Sequence, residues 1–340
     1  MAQEQTVYPL LCKPVLKSKI WGGRKFESLF GMDLPDNEKI GEAWMVADLP
    51  EGSSSVANGS RKGDLLADVT KDWGEKLIGP AWKGKPTGGR FPLLVKFLDA
   101  QDNLSVQVHP DEKACETEFP DDYSKDESWI ILWADEEGCI LHGFEDGATL
   151  EDFDRLLEQD QVTDIIRSCN VSAGDFFRVA PGTVHALCKG VVILEIQEPS
   201  DSTFRIYDYG RKGDDGQPRE LHLDAARKVM RFGEDQEDQP EIRKEDTEWG
   251  HREILVDVPA YRIERLEVRK PVAWKVNPKS AQVLALTDGE AVLLSGGQQL
   301  SLKKGDCVIL PAAVGNAALQ SDNGSCQVIL SGAGGINLLT

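Results

Sequence analysis

Four side chains that can bind a metal ion stand on short apolar stretches of this chain. Gln107 and His109 are two residues apart in the sequence LSVQVHP, which spans Leu104–Pro110. Residues two apart on a β-strand project from the same face, so these two can share one ligand. Glu127 and His185 lie on two further strand-like stretches. Together the four offer the mixed nitrogen and oxygen sphere that a borderline divalent ion accepts.

Length and composition predict a cytosolic globular protein of about two domains. A chain of 340 residues is longer than one typical domain, and its apolar fraction of 40% is enough for packed cores. Residues 1–21 contain no apolar run of signal-peptide length, and no later stretch approaches the ~20 apolar residues of a membrane helix. Seven cysteines without a C-x-x-C pair indicate reduced thiols, not a disulfide framework.

The charge of the chain limits the classes of partner. A formal net charge of -20 argues against nucleic acid and anionic membranes, because both require a basic surface. An anionic small molecule would need a local cluster of lysine and arginine that overrides this field. We therefore look for basic residues near the four metal candidates.

The elements that must position these residues are predicted to be mainly strands. Short apolar stretches alternate with Gly, Pro, Asn and Asp turns, which is typical of an all-β architecture with few helices. Apolar residues at helical spacing predict three short helices, over Asp64–Ile78, Thr149–Gln159 and Leu223–Met230. Asp64 is placed to cap the first of them.

The chain divides into two related parts. The charged segment Gly233–Glu248 has almost no apolar residues, so we predict a domain boundary there, between residues 1–235 and 236–340. AGDFFRVAPGTVH, ending at His185, and KGDCVILPAAVGN, ending at Asn316, read as copies of one β-unit. Asparagine is a poor ligand for a zinc-like ion. The second part is therefore predicted to be metal-free and structural.

The first copy follows a spacing known from one superfamily. Cupin β-barrels carry the strand-turn-strand signature Gly-x5-Pro-x-Gly-x2-His, with further ligands on an upstream strand. Gly174, Gly182 and His185 keep this spacing, whereas Ala180 and Pro181 are swapped relative to the usual order. The sequence resembles a cupin in this region.

Seven ordered blocks narrow the resemblance to a family, type I mannose-6-phosphate isomerase in its short bacterial form. The blocks are IWGG (20–23), IGEAW (40–44), FPLLVKFLDA (91–100), LSVQVHPD (104–111), KDESW (125–129), GTVHAL (182–187) and FRIYDYGR (204–211). The resemblance implies a mainly β fold of two cupin, jelly-roll-like β-barrels with a few short helices. It also implies one zinc ion per chain, held by Gln107, His109, Glu127 and His185.

The implied activity is that of a zinc-dependent aldose–ketose isomerase. Such an enzyme interconverts mannose 6-phosphate and fructose 6-phosphate by proton transfer through an enediol. Its partner would be a small-molecule sugar phosphate, and the chain would be a monomer or a homodimer. A neutral Gln107 in place of a third histidine would leave the zinc ion with one carboxylate charge compensated, and we infer a more electrophilic ion.

The family's basic and polar site residues also find counterparts. They fall on Lys96, Ser105, Lys125, Glu195, Asp201 and Arg205. We expect Glu195 to act as base, facing the His185 cavity if a hairpin joins the two, and Lys125 as proton shuttle or oxyanion stabiliser. Arg205 is the third catalytic candidate. The substrate-binding candidates are Lys96, Ser105, Asp201 and Arg211. Which cation holds the phosphate stays open.

Two other functions stay open beside the isomerase. A non-catalytic cupin that binds a sugar phosphate and reports it to a partner would tolerate Glu195→Gln. An iron-dependent cupin oxygenase usually holds its metal with more imidazoles than the two predicted to converge here. Arg205 and Asp201 also have a purely structural interpretation, as an ion pair.

Overall fold

The computed structural model describes residues 6–83, 85, 87–213, 216–237 and 239–340. Residues 1–5 of the opening segment and Asp238 of the predicted boundary segment therefore lie outside the described residues. Among the described residues, strands predominate and helices are short, so the mainly β prediction is confirmed.

In the described part of the chain, fifteen strands lie before residue 210 and ten after it. The first group is β1 (Leu10–Lys13), β2 (Val15–Gly23), β3 (Ile40–Val46), β4 (Asp48–Leu49), β5 (Gly52–Ser53), β6 (Ser55–Val56), β7 (Leu94–Ala100), β8 (Val106–Val108), β9 (Glu127–Ala134), β10 (Cys139–Phe144), β11 (Ile166–Asn170), β12 (Phe176–Val179), β13 (His185–Leu187), β14 (Val191–Gln197) and β15 (Phe204–Tyr207). The second group is β16 (Arg243–Thr247), β17 (Gly250–Asp257), β18 (Arg262–Val268), β19 (Val272–Lys275), β20 (Gln282–Asp288), β21 (Glu290–Ser295), β22 (Gln298–Lys303), β23 (Cys307–Leu310), β24 (Asn316–Ser321) and β25 (Cys326–Gly332).

The α-helices are short. They are α1 (Lys25–Phe30), α2 (Leu66–Trp73), α3 (Glu75–Ile78), α4 (Glu112–Thr117), α5 (Leu150–Glu158) and α6 (Leu223–Val229). In the described part of the chain, none is long and apolar enough to cross a membrane.

Two of the predicted helices are found, and one is divided. Thr149 caps α5 by accepting a hydrogen bond from the Asp152 backbone N–H, and α6 ends one residue before its prediction. The helix predicted over residues 64–78 breaks at Gly74, whose φ of 49° is left-handed. Leu65, not Asp64, stands at its N-cap, without a side-chain capping bond.

Two facing sheets form the first layer pair. One has six strands in the order β12-β9-β14-β7-β3-β2, and the other has five in the order β11-β10-β13-β8-β15. Buried apolar side chains from both sheets pack together between them, among them Leu98, Trp129, Leu187 and Ile193. Helices α5 and α6 cover the outer face of the five-stranded sheet.

A second layer pair follows. An eight-stranded sheet, ordered β16-β17-β18-β25-β20-β23-β1-β6, packs on a four-stranded sheet, ordered β19-β24-β21-β22. The largest core cluster joins the eight-stranded sheet to the outer face of the six-stranded one, with Tyr261 and Ile263 beside Ile130 and Leu194. The N-terminal strand β1 pairs with β23, so segments from both ends of the chain share one sheet.

The arrangement of strands refines the fold prediction. The described strands form open sheets, each with two edge strands, and their closure into two barrels is not confirmed. The domain boundary, the cytosolic location and the oligomeric state stay predictions.

Candidate metal and substrate site

The four predicted ligands converge between the two facing sheets. His109 follows β8, while Glu127 and His185 are the first residues of β9 and β13. One donor atom from each of these three lies within 4.8 Å of the others. Gln107 is opposite His185 in the register of β8 and β13, and its amide nitrogen lies 3.2 Å from Nε2 of His185. A half-turn of this amide would present its oxygen instead.

Hydrogen bonds hold both imidazoles in the tautomer whose Nε2 can bind a metal ion. Nδ1–H of His109 donates to the carbonyl of Ser202, and Nδ1–H of His185 donates to that of Thr183, each over 2.8 Å. These bonds leave both Nε2 lone pairs directed into the cluster. Burial lowers the pKa of His109, and it lowers the pKa of His185 to about 3. Both rings are therefore neutral near pH 7.

Glu127 is a buried carboxylate that the side chains around it satisfy only in part. It is completely buried, and neither side-chain oxygen has a hydrogen-bond partner among the described residues. Oε1 lies 3.2 Å from Nε2 of His185, and Oε2 lies 3.0 Å from Nζ of Lys125. Burial by itself would raise the pKa of Glu127, but Lys125 holds that pKa well below its usual value. A cation bound here would satisfy both oxygens, so the donor set fits a divalent metal.

A polar cavity of about 310 Å³ opens beside this cluster. Seven of the eleven predicted site residues line it: Lys96, Ser105, Gln107, Lys125, Glu195, Asp201 and Arg205. Lys125 lies between the cavity and the candidate metal ligands, because its Nζ is also 3.2 Å from Nε2 of His109. Of the predicted substrate-binding residues, Arg211 is the one that does not line this cavity.

Glu195 and Lys96 form a buried ion pair on the cavity wall. They are opposite each other on β14 and β7, with Nζ of Lys96 3.0 Å from Oε2 of Glu195. The indole N–H of Trp129 donates to Oε1 of Glu195 over 3.1 Å. Burial raises the pKa of Glu195 in spite of the nearby Lys96. Burial lowers the pKa of Lys96, but Glu195 and Glu42 outweigh it, so that pKa is raised. The ammonium therefore stays charged beside a carboxylate of increased basicity.

His185 and Glu195 are not joined by a hairpin, which was the condition named for their facing one cavity. Strand β13 belongs to the five-stranded sheet and β14 to the six-stranded sheet, so the chain crosses from one layer to the other between them. Both side chains nevertheless point into the space between the layers, because each lies on the inner face of its sheet.

Arg205 on β15, the edge strand of the five-stranded sheet, and Arg219 in the segment after it both line the cavity. Nε of Arg205 donates to Oγ of Ser105 over 3.3 Å. Asp208 receives hydrogen bonds from both Arg211 and Arg219, over 2.5 Å and 2.7 Å. Burial and the neighbouring Arg219 lower the pKa of Arg205. Arg211 binds Asp208 and does not line the cavity. No Arg205–Asp201 ion pair is found among the described residues.

Seven cavity residues were not predicted as site residues: Lys19, Trp21, Glu42, Leu98, Leu104, Thr203 and Arg219. Glu42 accepts a hydrogen bond from the indole of Trp44 over 2.6 Å and pairs with Lys19 over 3.0 Å. Trp21 and Glu42 lie within the quoted blocks IWGG and IGEAW, so the resemblance marked them without assigning a role. Arg219 follows the last block, and no pattern in the sequence distinguishes it.

Two family models match the chain. The model described as phosphomannose isomerase type I, catalytic domain, matches residues 9–135. The model described as mannose-6-phosphate isomerase, cupin domain, matches residues 256–332.

Named relatives and a solved structure match nearly the whole chain. A probable mannose-6-phosphate isomerase of Bacillus subtilis is 36% identical over 332 residues, covering 95% of this chain and 99% of the relative. The mannose-6-phosphate isomerase of Streptococcus mutans is 34% identical, covering 90% and 93%. The crystal structure of the mannose 6-phosphate isomerase from Bacillus subtilis superimposes with a TM-score of 0.85 at 30% identity, covering 95% of this chain and 99% of that one.

The facing sheets and the buried donor cluster between them define a cupin protein with a candidate metal centre. The chain belongs to the type I phosphomannose isomerase family. The resemblance stated from the seven sequence blocks is therefore confirmed.

Proposed function

We propose that this protein is a zinc-dependent isomerase that interconverts mannose 6-phosphate and fructose 6-phosphate. The relatives that match it over nearly their full length are named mannose-6-phosphate isomerases. The observation that carries the proposal is the environment of Glu127. Among the described residues its oxygens make an ion pair with Lys125 but no hydrogen bond, and they face two imidazole lone pairs beside a sugar-sized polar cavity.

Gln107, His109, Glu127 and His185 would hold one zinc ion per chain. Two neutral imidazoles with one carboxylate and one amide oxygen suit zinc, which accepts nitrogen and oxygen ligands. When bound, the ion supplies Lewis acidity for a sugar carbonyl and a template for two adjacent oxygens. This is the one cluster of its kind in the described ranges of the chain.

Glu195 would carry the proton between the two adjacent carbons of the sugar. The step removes the proton from C2 of mannose 6-phosphate, leaves an enediol, and returns the proton to C1 to give fructose 6-phosphate. A base needs a pKa near the working pH, and burial raises the pKa of Glu195 in that direction. Lys96 and Trp129 fix its carboxylate, so one orientation is held toward the cavity.

Lys125 would serve the oxygens of the same two carbons. Its ammonium group lies at the junction of the metal cluster and the cavity, 3.0 Å from Glu127 and 3.2 Å from His109. From there it can donate a hydrogen bond to a developing oxyanion or move a proton between the two sugar oxygens.

The phosphate would lie at the arginine end of the cavity. Arg205 and Arg219 both line the cavity there. Arg219 pairs with Asp208, which also pairs with Arg211, whereas Arg205 makes no ion pair among the described residues. At the other end, Lys96 and Lys19 are already paired with Glu195 and Glu42. Arg205 therefore provides uncompensated positive charge that a sugar phosphate needs in this acidic protein, and Arg219 adds hydrogen-bond donors.

The test is an isomerase assay with mannose 6-phosphate on purified protein, before and after chelation. We expect activity to disappear on chelation and to return with zinc, and His109→Ala to remain inactive in both conditions. Metal analysis of the same preparation distinguishes an oxygenase, since stoichiometric iron with oxygen uptake would exclude the isomerase. Activity insensitive to both chelator and His109→Ala would overturn the metal site.

A further inference from the structure

Tyr261 brings a hydroxyl group from the second layer pair to the strand that carries Glu127. It directly precedes β18 and is completely buried in the core cluster that joins the eight-stranded and six-stranded sheets. Its hydroxyl donates to Oδ1 of Asp126 over 2.7 Å and lies 3.0 Å from Oγ of Ser128. These two residues are the chain neighbours of Glu127.

The contacts of Tyr261 and the candidate metal ligands lie on opposite faces of β9. Successive side chains of a strand point to opposite faces, so Glu127 faces the space between the first two sheets while Asp126 and Ser128 face the second layer pair. One tyrosine hydroxyl thus contacts the residues on both sides of Glu127 from behind. This contact fixes the backbone from which the Glu127 side chain projects.

Asp126 is the centre of a wider network on the same face. The guanidinium of Arg178 donates to both of its carboxylate oxygens, over 3.1 Å and 2.5 Å. Its backbone N–H donates to Oε2 of Glu198 over 3.1 Å. Ser128 has a single hydrogen-bond partner for its hydroxyl among the side chains described, and that partner is Tyr261. If the Tyr261 hydroxyl were removed, Arg178 would still hold Asp126. The hydroxyl of Ser128 would lose the one side-chain partner described for it.

We propose that Tyr261 is a positioning residue of the metal centre, acting through β9 on the orientation of Glu127. Glu127 gains from this support because, among the described residues, its oxygens make an ion pair with Lys125 but no hydrogen bond that would orient them. Groups that orient a metal ligand from outside typically change metal affinity or activity about 10–100-fold when removed. The inference rests on the proposed function only in requiring that Glu127 bind the metal. Through Tyr261, the second part of the chain, which is predicted to be metal-free, would help to position a metal ligand of the first part.

The test is Tyr261→Phe, which removes one oxygen and keeps the aromatic ring. We expect the zinc dissociation constant, measured by competition with a chromogenic chelator, to rise about tenfold. With saturating zinc, the KM for mannose 6-phosphate should stay unchanged, because Tyr261 does not line the cavity. The matched control is Tyr8→Phe, whose hydroxyl binds Ser60 and the backbone of Arg61 and makes no hydrogen bond to β9 among the described residues. The control should bind zinc as the wild type does.

A second variant keeps the test decisive if Tyr261→Phe does not fold. Ser128→Ala removes the other end of the contact, and we expect a smaller loss of zinc affinity from it. Circular dichroism of the metal-free variants checks that each is folded. Wild-type zinc affinity in a folded Tyr261→Phe or, failing that, in Ser128→Ala overturns the positioning role.

If the wild type binds zinc but does not isomerise mannose 6-phosphate, the proposed reaction fails while the zinc affinities still decide this inference. If the wild type binds zinc no more tightly than His109→Ala, both fail.

Discussion

Gln107 and His185 are opposite each other on β8 and β13, and their side chains are in contact at 3.2 Å. This register places a neutral amide where a histidine or a carboxylate would otherwise complete the cluster. The cluster therefore contains one ionised group, Glu127, and a divalent ion bound there would keep a net positive charge. Gln107 contributes a donor atom without reducing that charge.

Gln107→Glu tests the importance of this neutral donor. We expect the variant to retain zinc at least as tightly as the wild type, because a second carboxylate attracts the cation. We expect kcat to fall about tenfold or more, because the added charge weakens the polarisation of the sugar carbonyl. Zinc content per chain and steady-state kinetics check both expectations. Full zinc occupancy with wild-type kcat would contradict the argument.

Glu195→Gln separates the isomerase from a sugar-phosphate binder. The glutamine keeps the shape of the side chain and its contact with Trp129, but it cannot accept a proton. We expect kcat to fall about 10²–10⁴-fold, the usual contribution of general acid–base catalysis, with little change in zinc content. Glu253→Gln is a control, since this buried glutamate pairs with Arg265 outside the cavity. A Glu195 variant that turns over like its control would indicate a binding protein.

Arg219→Ala tests the phosphate end of the cavity. A charge-assisted hydrogen bond contributes about 1.5–3 kcal/mol, so its loss should raise the KM for mannose 6-phosphate about tenfold or more. Inhibition by inorganic phosphate should weaken by a similar factor. Arg227→Ala is the matched control, because this arginine pairs with Asp154 away from the cavity. Unchanged KM and unchanged phosphate inhibition in Arg219→Ala would place the phosphate elsewhere.

The sequence predicted the ligand cluster because alternation and ordered blocks are both local signals. Gln107 and His109 share a face by their spacing alone, and the blocks around Glu127 and His185 marked these residues without any knowledge of strand pairing. The mainly β class followed from the same local pattern of apolar stretches and turns.

Long-range pairing limited the rest of the prediction. The pairing of β1 with β23 joins residues nearly 300 positions apart, and no local pattern specifies it. Whether a hairpin joins His185 and Glu195 could not be decided from the sequence, because sequence proximity does not tell which sheet the next strand joins. Arg219 reaches the cavity through Asp208, a contact that depends on how the segment after β15 folds back.

Asn316→Ala tests the view that the second repeat copy has no metal function. Asn316 is exposed at the start of β24, whereas His185 at the matching position is completely buried. We expect the variant to keep the zinc content and the kcat of the wild type. His185→Ala, assayed beside it, should lose zinc. Loss of activity in a folded Asn316→Ala would show that the second copy takes part in the chemistry.

The shifted pKa of Glu198 should make the free energy of unfolding depend on pH. Burial raises the pKa of its carboxyl from 4.5 to about 7, although its Oε2 accepts hydrogen bonds from Ser124 and the Asp126 backbone. A carboxyl with a higher pKa in the folded state binds its proton more tightly there. Its contribution to stability is thus fully present below about pH 4.5 and is lost as the pH rises through about 7.

Glu198→Gln removes this ionisation and should therefore matter most at alkaline pH. We expect the variant to gain stability relative to the wild type between about pH 5 and about pH 8, by at most about 3 kcal/mol in the free energy of unfolding. Denaturant unfolding of the metal-free proteins at both pH values measures the difference. Glu51→Gln, at an exposed turn, should show no such dependence. A pH-independent difference between Glu198→Gln and the wild type would mean that Glu198 is already ionised in the folded protein at about pH 5.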